Sequence, residues 1–290
     1  MEAVRGEVGI LAPGETRRAL ALLREDPCRN LWVIHNLLRF GPFNLGLPEQ
    51  GSFYVFRGEE TGGERLRGLL YCSNLGFWRF HARSGRVLFR LMEAALEDGS
   101  RPVSIAGDPG ALEEALRLLE RGSRPLLPPV LKREEEVVMR FAGGGGLNSA
   151  GGGARLAGLA DLEEMIRLEK GLQVYLLGRS APVDYLRDRI REVVERGRAA
   201  VFPAGRRLAS KAELEVEIPG SSQLSGVFTR ARHRRRGYAS ACCGLLCRMA
   251  VEEGRTVCLE TQRNNHAALS LYRGLGFEIH APSLVVRFRG

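Results

Sequence analysis

The sequence has no run of about 18 apolar residues, the length a helix needs to cross a bilayer, so no membrane-spanning helix is expected. Its start, MEAVRGEVGILAPG, has no basic stretch leading into an apolar core, so no secretory signal peptide is expected either. The six cysteines (Cys28, Cys72, Cys242, Cys243, Cys247 and Cys258) are scattered and include an adjacent pair. That spacing suits neither a disulfide framework nor a Cys-x-x-Cys zinc site, so the reading is a reduced, cytoplasmic protein without a metal. In ACCGLLC no histidine stands nearby, and the cysteines read as small, soft residues packing one helix face. No Gly-x-Gly-x-x-Gly follows a strand, which argues against dinucleotide binding.

What is present is a chain of 290 residues, 44% hydrophobic and 27% charged, the composition of a soluble globular protein with room for two domains. The net charge is +9, and it is unevenly placed. Through Ala142 there are 20 Lys and Arg against 19 Asp and Glu, and beyond it 23 against 15. A basic excess of this kind fits nucleic acid, an anionic surface or an anionic cofactor. The charge boundary coincides with FAGGGGLNSAGGGAR, whose seven glycines and lack of apolar periodicity read as a flexible linker. The expected division is therefore a domain over 1–142, a linker over 143–153 and a second domain over 154–290. A phosphate loop is the sharper alternative for the glycines, but the Lys-Ser/Thr ending is missing.

Periodicity orders the second half as strand, two helices, three strands, helix, strand, helix and two closing strands, FEIH and LVVRF. In the helix GYASACCGLLCRMAVEEG, Leu245, Leu246, Met249 and Ala250 share a face. The first half gives a fainter copy of the same order, in which GLLYCSNLGFWRF holds the place of GVFTRARHRRRGY but has no arginine-glycine turn. A weak internal duplication follows, its first copy lacking the phosphate-binding feature.

That turn is the most informative stretch. The strand QLSGVFT runs into RARHRRRG, and a long helix begins at once. A helix start leaves backbone N–H groups unpaired at a positive dipole end, a ready anion site. Gly237 would let a ligand approach closely, and the flanking arginines add charge for phosphates. The pattern Arg234-Arg235-Arg236-Gly237-Tyr238-Ala239 resembles the acetyl-CoA signature of the GNAT acyltransferases, Arg/Gln-x-x-Gly-x-Gly/Ala between a strand and a helix. NNHAALSLYRGLGF is similar to a second family signature through Asn265, Ala268, Leu271, Tyr272, Gly276 and Phe277. The resemblance covers Ala154 to Gly290, and the whole chain looks like bacterial proteins that put a divergent GNAT-like domain before an intact one.

The resemblance implies an α+β fold, a mixed sheet flanked by helices, repeated in two tandem domains of which the C-terminal one is intact. It implies acetyl-CoA as co-substrate and transfer of the acetyl group to a primary amine in a direct ternary complex. Val227, Phe228 and Thr229 would pair with the pantetheine arm like an added strand. Backbone N–H groups from Arg235 to Ser240 (Arg235, Arg236, Gly237, Tyr238, Ala239, Ser240) would hold the pyrophosphate beside Arg234, and Asn265 would hydrogen-bond the pantetheine. A backbone N–H of the Val227 strand would serve the oxyanion. Tyr272 would protonate the leaving thiolate, and Glu260, twelve residues before it, would act as base.

Plainer readings stand beside these. Glu213, Glu215 and Glu217 alternate along one strand face and read as a solvated row, with one of them able to reach the substrate cleft or draw in a cationic amine. His233 reads as a turn residue near phosphate and His266 as helix decoration. A protein amino terminus, a polyamine, an aminoglycoside or an amino acid would all serve as acceptor. Two rival functions remain: a non-catalytic acyl-CoA sensor or scaffold, and a basic nucleic-acid-binding protein. The second has charge in TRARHRRR but neither aromatic stacking residues nor a recognition-helix pattern.

Overall fold

In the computed structural model, which describes residues 5–48, 50–60, 63–121, 126–143, 147, 152–177 and 180–289, the chain forms two compact units. The first contains Met1–Val138, Gln262–Asn264 and Ala281–Gly290; the second contains Met139–Thr261 and Asn265–His280. Most of the glycine tract read as a linker, residues 144–146 and 148–151, lies outside the described residues.

In the first unit the order is β1 (Glu7–Ile10), α1 (Thr16–Leu23), α2 (Pro27–Phe40), β2 (Gly51–Glu60), β3 (Gly63–Ser73), β4 (Phe77–Ala82), α3 (Gly85–Glu97), β5 (Ser104–Gly107), α4 (Pro109–Glu120) and β6 (Val130–Phe141). Local chemistry sets the helix starts. Asp26 and Asp108 accept the N–H groups of Arg29 and Ala111, and a proline follows each cap, where its missing donor costs nothing. β1 to β4 pair antiparallel in sequence order, and β4 pairs β5 in parallel. Beneath this sheet, Phe56, Trp78, Leu88, Leu91, Leu112 and Val286 belong to one buried cluster. Each such side chain contributes about 1.5–3 kcal/mol by leaving water.

The second unit repeats that order: β7 (Arg155–Leu156), α5 (Leu162–Leu177), α6 (Val183–Glu195), β8 (Ala199–Ala204), β9 (Arg207–Ile218), β10 (Ser221–Thr229), α7 (Tyr238–Glu252), β11 (Thr256–Gln262), α8 (His266–Leu275) and β12 (Phe277–Phe288). β7 to β10 are antiparallel neighbours and β10 pairs β11 in parallel. α5 and α6 bury Met165, Ile166, Leu186, Ile190 and Val193 against Ala199 and Val201 of β8. The fold is thus mixed α+β, with one element order used twice.

Four details differ from the sequence reading. β1 was not expected, because four residues carry too little alternation to register; it exists by pairing with β2. FEIH and LVVRF are one strand, β12, since the fixed φ of Pro282 is compatible with extended chain. Leu284–Arg287 of that strand pair antiparallel with Gly107–Ser104 of β5, and Ala281–Gly290 accordingly count with the first unit. The segment that matches GVFTRARHRRRG is FWRFHARSG, from β4 to the start of α3, rather than the hairpin containing YCSN. On α7 the buried face is Ala241, Cys242, Cys243, Leu246, Cys247 and Ala250, with Leu245 and Met249 only half-buried. The small side chains let this helix lie close to the sheet. Burial pushes the free thiols of Cys242 and Cys247 up to about 12 and that of Cys243 well above its ordinary value, so all three stay protonated and inert.

Candidate functional site

The site begins where two strands part. β10 and β11 pair only at Ser221–Gln223 with Thr256–Cys258, and among the described residues no pairing between them continues beyond. From Leu224 onward, then, β10 is paired on its β9 side alone, and Val227, Phe228 and Thr229 have an edge toward the gap. On the β9 side Ser225 faces Glu213 and Phe228 faces Lys211, so Gly226 and Val227 together oppose Ala212 in a bulge. Gly226 has φ +59°, which glycine alone adopts without strain. Glu260 stands on β11 two residues beyond the last paired position, half-buried, at the level where the strands have separated.

The end of β10 is tied down. The Ser210 hydroxyl donates to the Phe228 carbonyl (3.1 Å) and pairs with the Thr229 hydroxyl (2.8 Å). Arg230 donates to the Leu208 carbonyl and to Glu164, both at 2.9 Å. A single 3-10 turn, Ala231–His233, follows, and Arg235 takes the left-handed conformation at φ 60°. Gly237 then starts α7 at φ +78° with no side chain capping the first N–H groups. A Cβ placed on Gly237 would meet no atom within 4 Å, so the approach to those groups is open. Arg234 is held by the Thr229 carbonyl at 3.2 Å and lies 5.4 Å from the centre of the Tyr175 ring. Tyr238 is stacked on Phe202 at 4.0 Å, which fixes the first turn of α7. His233 is kept below its ordinary pKa by desolvation and by Arg232, Arg236 and Arg230, so it adds no charge to the turn at neutral pH.

Asn265 caps α8 through its Oδ1, which accepts from the Ala268 N–H at 3.2 Å and leaves the amide NH₂ as its donor. His266 is exposed at the first turn of the same helix. Tyr272 is 7% exposed, its ring 5.9 Å from that of Phe277. Burial first, and then the neighbouring Cys243 and Cys247, push its phenol far above the ordinary value, so it stays protonated through the neutral range.

The row Glu213, Glu215 and Glu217 is not a solvated face. Arg189 of α6 reaches Glu213 and Glu215 at 2.9 Å each, and Arg198 reaches Glu217 at 2.9 Å. Lys211, fully buried, completes the cluster by pairing with Glu213 at 2.5 Å and Glu169 of α5 at 2.7 Å. Sequence reading missed Lys211, Glu169 and Arg189, although a signal existed: Glu169 continues the apolar stripe Leu162, Met165, Ile166, and Arg189 lies beside Leu186 and Ile190 on theirs. A charge on a buried stripe requires a buried partner. Burial would raise the Glu169 pKa, but Lys211 and Arg189 overcome it and hold the carboxyl well below its ordinary 4.5. Such a group adds stability above 4.5 that is lost as pH falls below it through the lower folded value. Between about pH 7 and about pH 3 the parent should therefore lose more of its Tm than Glu169→Gln, by on the order of 5 °C; equal losses in thermal melts would contradict this.

The matching place in the first unit is filled. β4 and β5 pair at Phe77–Arg79 with Ser104–Ala106, and past them the Phe80 ring lies against Gly107, where a Cβ would come within 2.5 Å of it. At the start of α3 the Ser84 hydroxyl accepts the Arg86 N–H at 3.3 Å and the Glu114 carboxylate accepts the Gly85 N–H at 3.0 Å. An internal carboxylate occupies the position an anion would take.

Among the described residues no group of three or more His, Cys, Asp or Glu could hold a metal ion. Residues 206–286 match the family described as FR47-like protein. The chain is similar to a GCN5-related N-acetyltransferase from Sphaerobacter thermophilus, at 15% identity over 99% of this chain and 96% of that one, with a TM-score of 0.63. It is likewise similar to a GNAT-family acetyltransferase from Colwellia psychrerythraea (14% identity, 98% and 100%, TM-score 0.59). A tandem GNAT protein from the clavulanic acid biosynthesis pathway is a third (15% identity, 97% and 98%, TM-score 0.60). No curated protein matches the sequence. At these identities the likeness is one of fold, and it runs the length of the chain: the protein has the tandem GNAT fold, and the match to FR47-like protein lies at residues 206–286.

Proposed function

We propose that the protein is an acyltransferase that moves an acetyl group from acetyl-CoA to a primary amine within a ternary complex. The observation that carries this is the continuity of the one-sided edge of β10 with the uncapped, glycine-started α7. An extended pantetheine can pair along Val227–Thr229 while its pyrophosphate meets the N–H groups from Arg235 to Ser240, with Arg234 and Arg236 adding charge. The amide NH₂ of Asn265 is available to the pantetheine. In this reading a backbone N–H near Val227 stabilises the oxyanion, Glu260 takes the amine proton directly or through water, and the Tyr272 phenol donates to the departing thiolate. Positioning the two substrates side by side supplies several kcal/mol of the acceleration. Of the arginines, Arg230 is tied to the Leu208 carbonyl and Glu164 and Arg234 to the Thr229 carbonyl, while Arg232, Arg235 and Arg236 are exposed around the uncapped start of α7, where they can add charge for a phosphate. No helix among the described residues is long and apolar enough to cross a membrane.

Coenzyme A release measured with a panel of amines tests the reading. Turnover with at least one amine supports it; tight acetyl-CoA binding without turnover on any would favour the sensor. The filled site in the first unit adds a stoichiometric expectation, one acetyl-CoA per chain by titration calorimetry, and a value of two would overturn that account of Ser84, Glu114 and Phe80.

A further inference from the structure

A buried ion cluster lies directly against the bulge that gives β10 its shape. A Cβ on Gly226 would stand 2.8 Å from Lys211 Nζ and 3.0 Å from Glu213 Cδ, so the ammonium–carboxylate pair touches the bulge backbone on that face. The residue before the bulge is held by the same cluster, for the Ser225 hydroxyl donates to Glu215 Oε2 at 3.0 Å. The residue after Val227 is held by the helix that supplies Glu169: a Cβ on Gly171 would be 3.1 Å from the Phe228 ring. Arg189 joins the pieces, reaching Glu213, Glu215 and, at 3.3 Å, Glu169. α6 and β9 thus converge through charge on Ser225 and Gly226, and α5 adds a charge, Glu169, and an apolar contact on Phe228.

Burying five ionised groups is a costly way to fill a core. Desolvation of each ion costs several kcal/mol, and apolar residues of equal volume often serve stability as well or better. What ionic hydrogen bonds supply that apolar contacts do not is direction: each fixes a donor and an acceptor to a few tenths of an ångström. We propose that Lys211 and Glu213 are positioning residues for the thioester half of acetyl-CoA, acting through the Gly226 bulge to aim the backbone groups of Val227–Thr229. The proposal rests on the acetyl-CoA reading and deepens it. The cluster sets where the pantetheine and the reacting carbonyl lie, whereas the pyrophosphate is held separately at Gly237.

The separation makes it testable. Lys211→Met/Glu213→Gln removes one charge of each sign and leaves the net charge of the cluster unchanged, whereas Lys211→Met alone strands carboxylates. Affinities for CoA and for its nucleotide half alone, adenosine 3′-phosphate 5′-diphosphate, are measured by calorimetry, and amide hydrogen exchange at Gly226–Thr229 is measured without ligand. The expected result for the double variant is an approximately ten-fold weaker CoA affinity, a nucleotide affinity within about two-fold of the parent, and exchange at Gly226–Thr229 faster by about ten-fold or more. Ser225→Ala, which removes a single tether and should leave folding intact, is expected to show the same split at roughly two- to three-fold. Equal losses for both ligands, or unchanged exchange at the bulge in either variant, would overturn the proposal and leave the cluster as core. If the parent binds neither ligand, it is the acetyl-CoA reading that has failed, and the exchange measurement still decides whether the cluster orders the bulge.

Discussion

Gly237→Glu is expected to abolish acetyl-CoA binding, with Kd rising by more than about 100-fold, while Arg232→Ala raises it by roughly two- to five-fold. Two separate effects act on the glycine. Its φ of +78° is left-handed, so any side chain there carries strain of about 1 kcal/mol or more. The carboxylate would also extend into the open space before the first N–H groups of α7, taking those donors and repelling a diphosphate. The folded protein tolerates the change better than the ligand does, since a Cβ at Gly237 meets no atom within 4 Å. Arg232, by contrast, is exposed and donates to its neighbour His233 at 3.1 Å, so removing it takes one screened charge from the turn. Gly237→Asn separates the causes: asparagine adopts left-handed backbone at small cost and carries no charge, and it should lose far less affinity than the glutamate. Isothermal titration of the four proteins with acetyl-CoA checks the order, and similar affinities for Gly237→Glu and the parent would sink the assignment of the pyrophosphate to this turn.

The parts of this site that were legible in the sequence are the ones whose chemistry is local. Gly237 follows a strand and opens a helix within a few residues, so the feature is written in adjacent positions. The bulge at Gly226 was not legible, because a bulge is a mismatch of register between two strands and only β9 reveals it. The row Glu213, Glu215 and Glu217 was misread for the same reason: alternation reports that three side chains share a face, and nothing in the strand says that Arg189, Arg196 and Arg198 cover it. The duplication was legible in its helices and central strands but blurred at β1, whose four residues have no meaning until β2 lies beside them. Its chemical divergence became readable only in three dimensions. Glu114, 29 residues along the chain from Gly85, places a carboxylate at the helix start where the second unit leaves its donors open.

Tyr272→Phe is expected to lower kcat by about 10²-fold or more while leaving the KM for acetyl-CoA within about three-fold. The substitution keeps the ring against Phe277 and removes only the hydroxyl, so stability should change by less than about 1.5 kcal/mol. The size of the expected loss follows from the phenol's surroundings. Burial holds it protonated, which is the form that a donor to the leaving group requires. A thiolate departing into the same low-dielectric surroundings is destabilised too, so its proton affinity rises toward that of the phenol and transfer between them becomes matched. A donor acting only on the leaving group should affect the bond-breaking step and not ground-state binding, hence the split between kcat and KM. Steady-state kinetics with the best amine decides it: a kcat within about three-fold of the parent would reduce Tyr272 to a packing residue, and a rise in KM with kcat preserved would place its hydroxyl on the pantetheine instead.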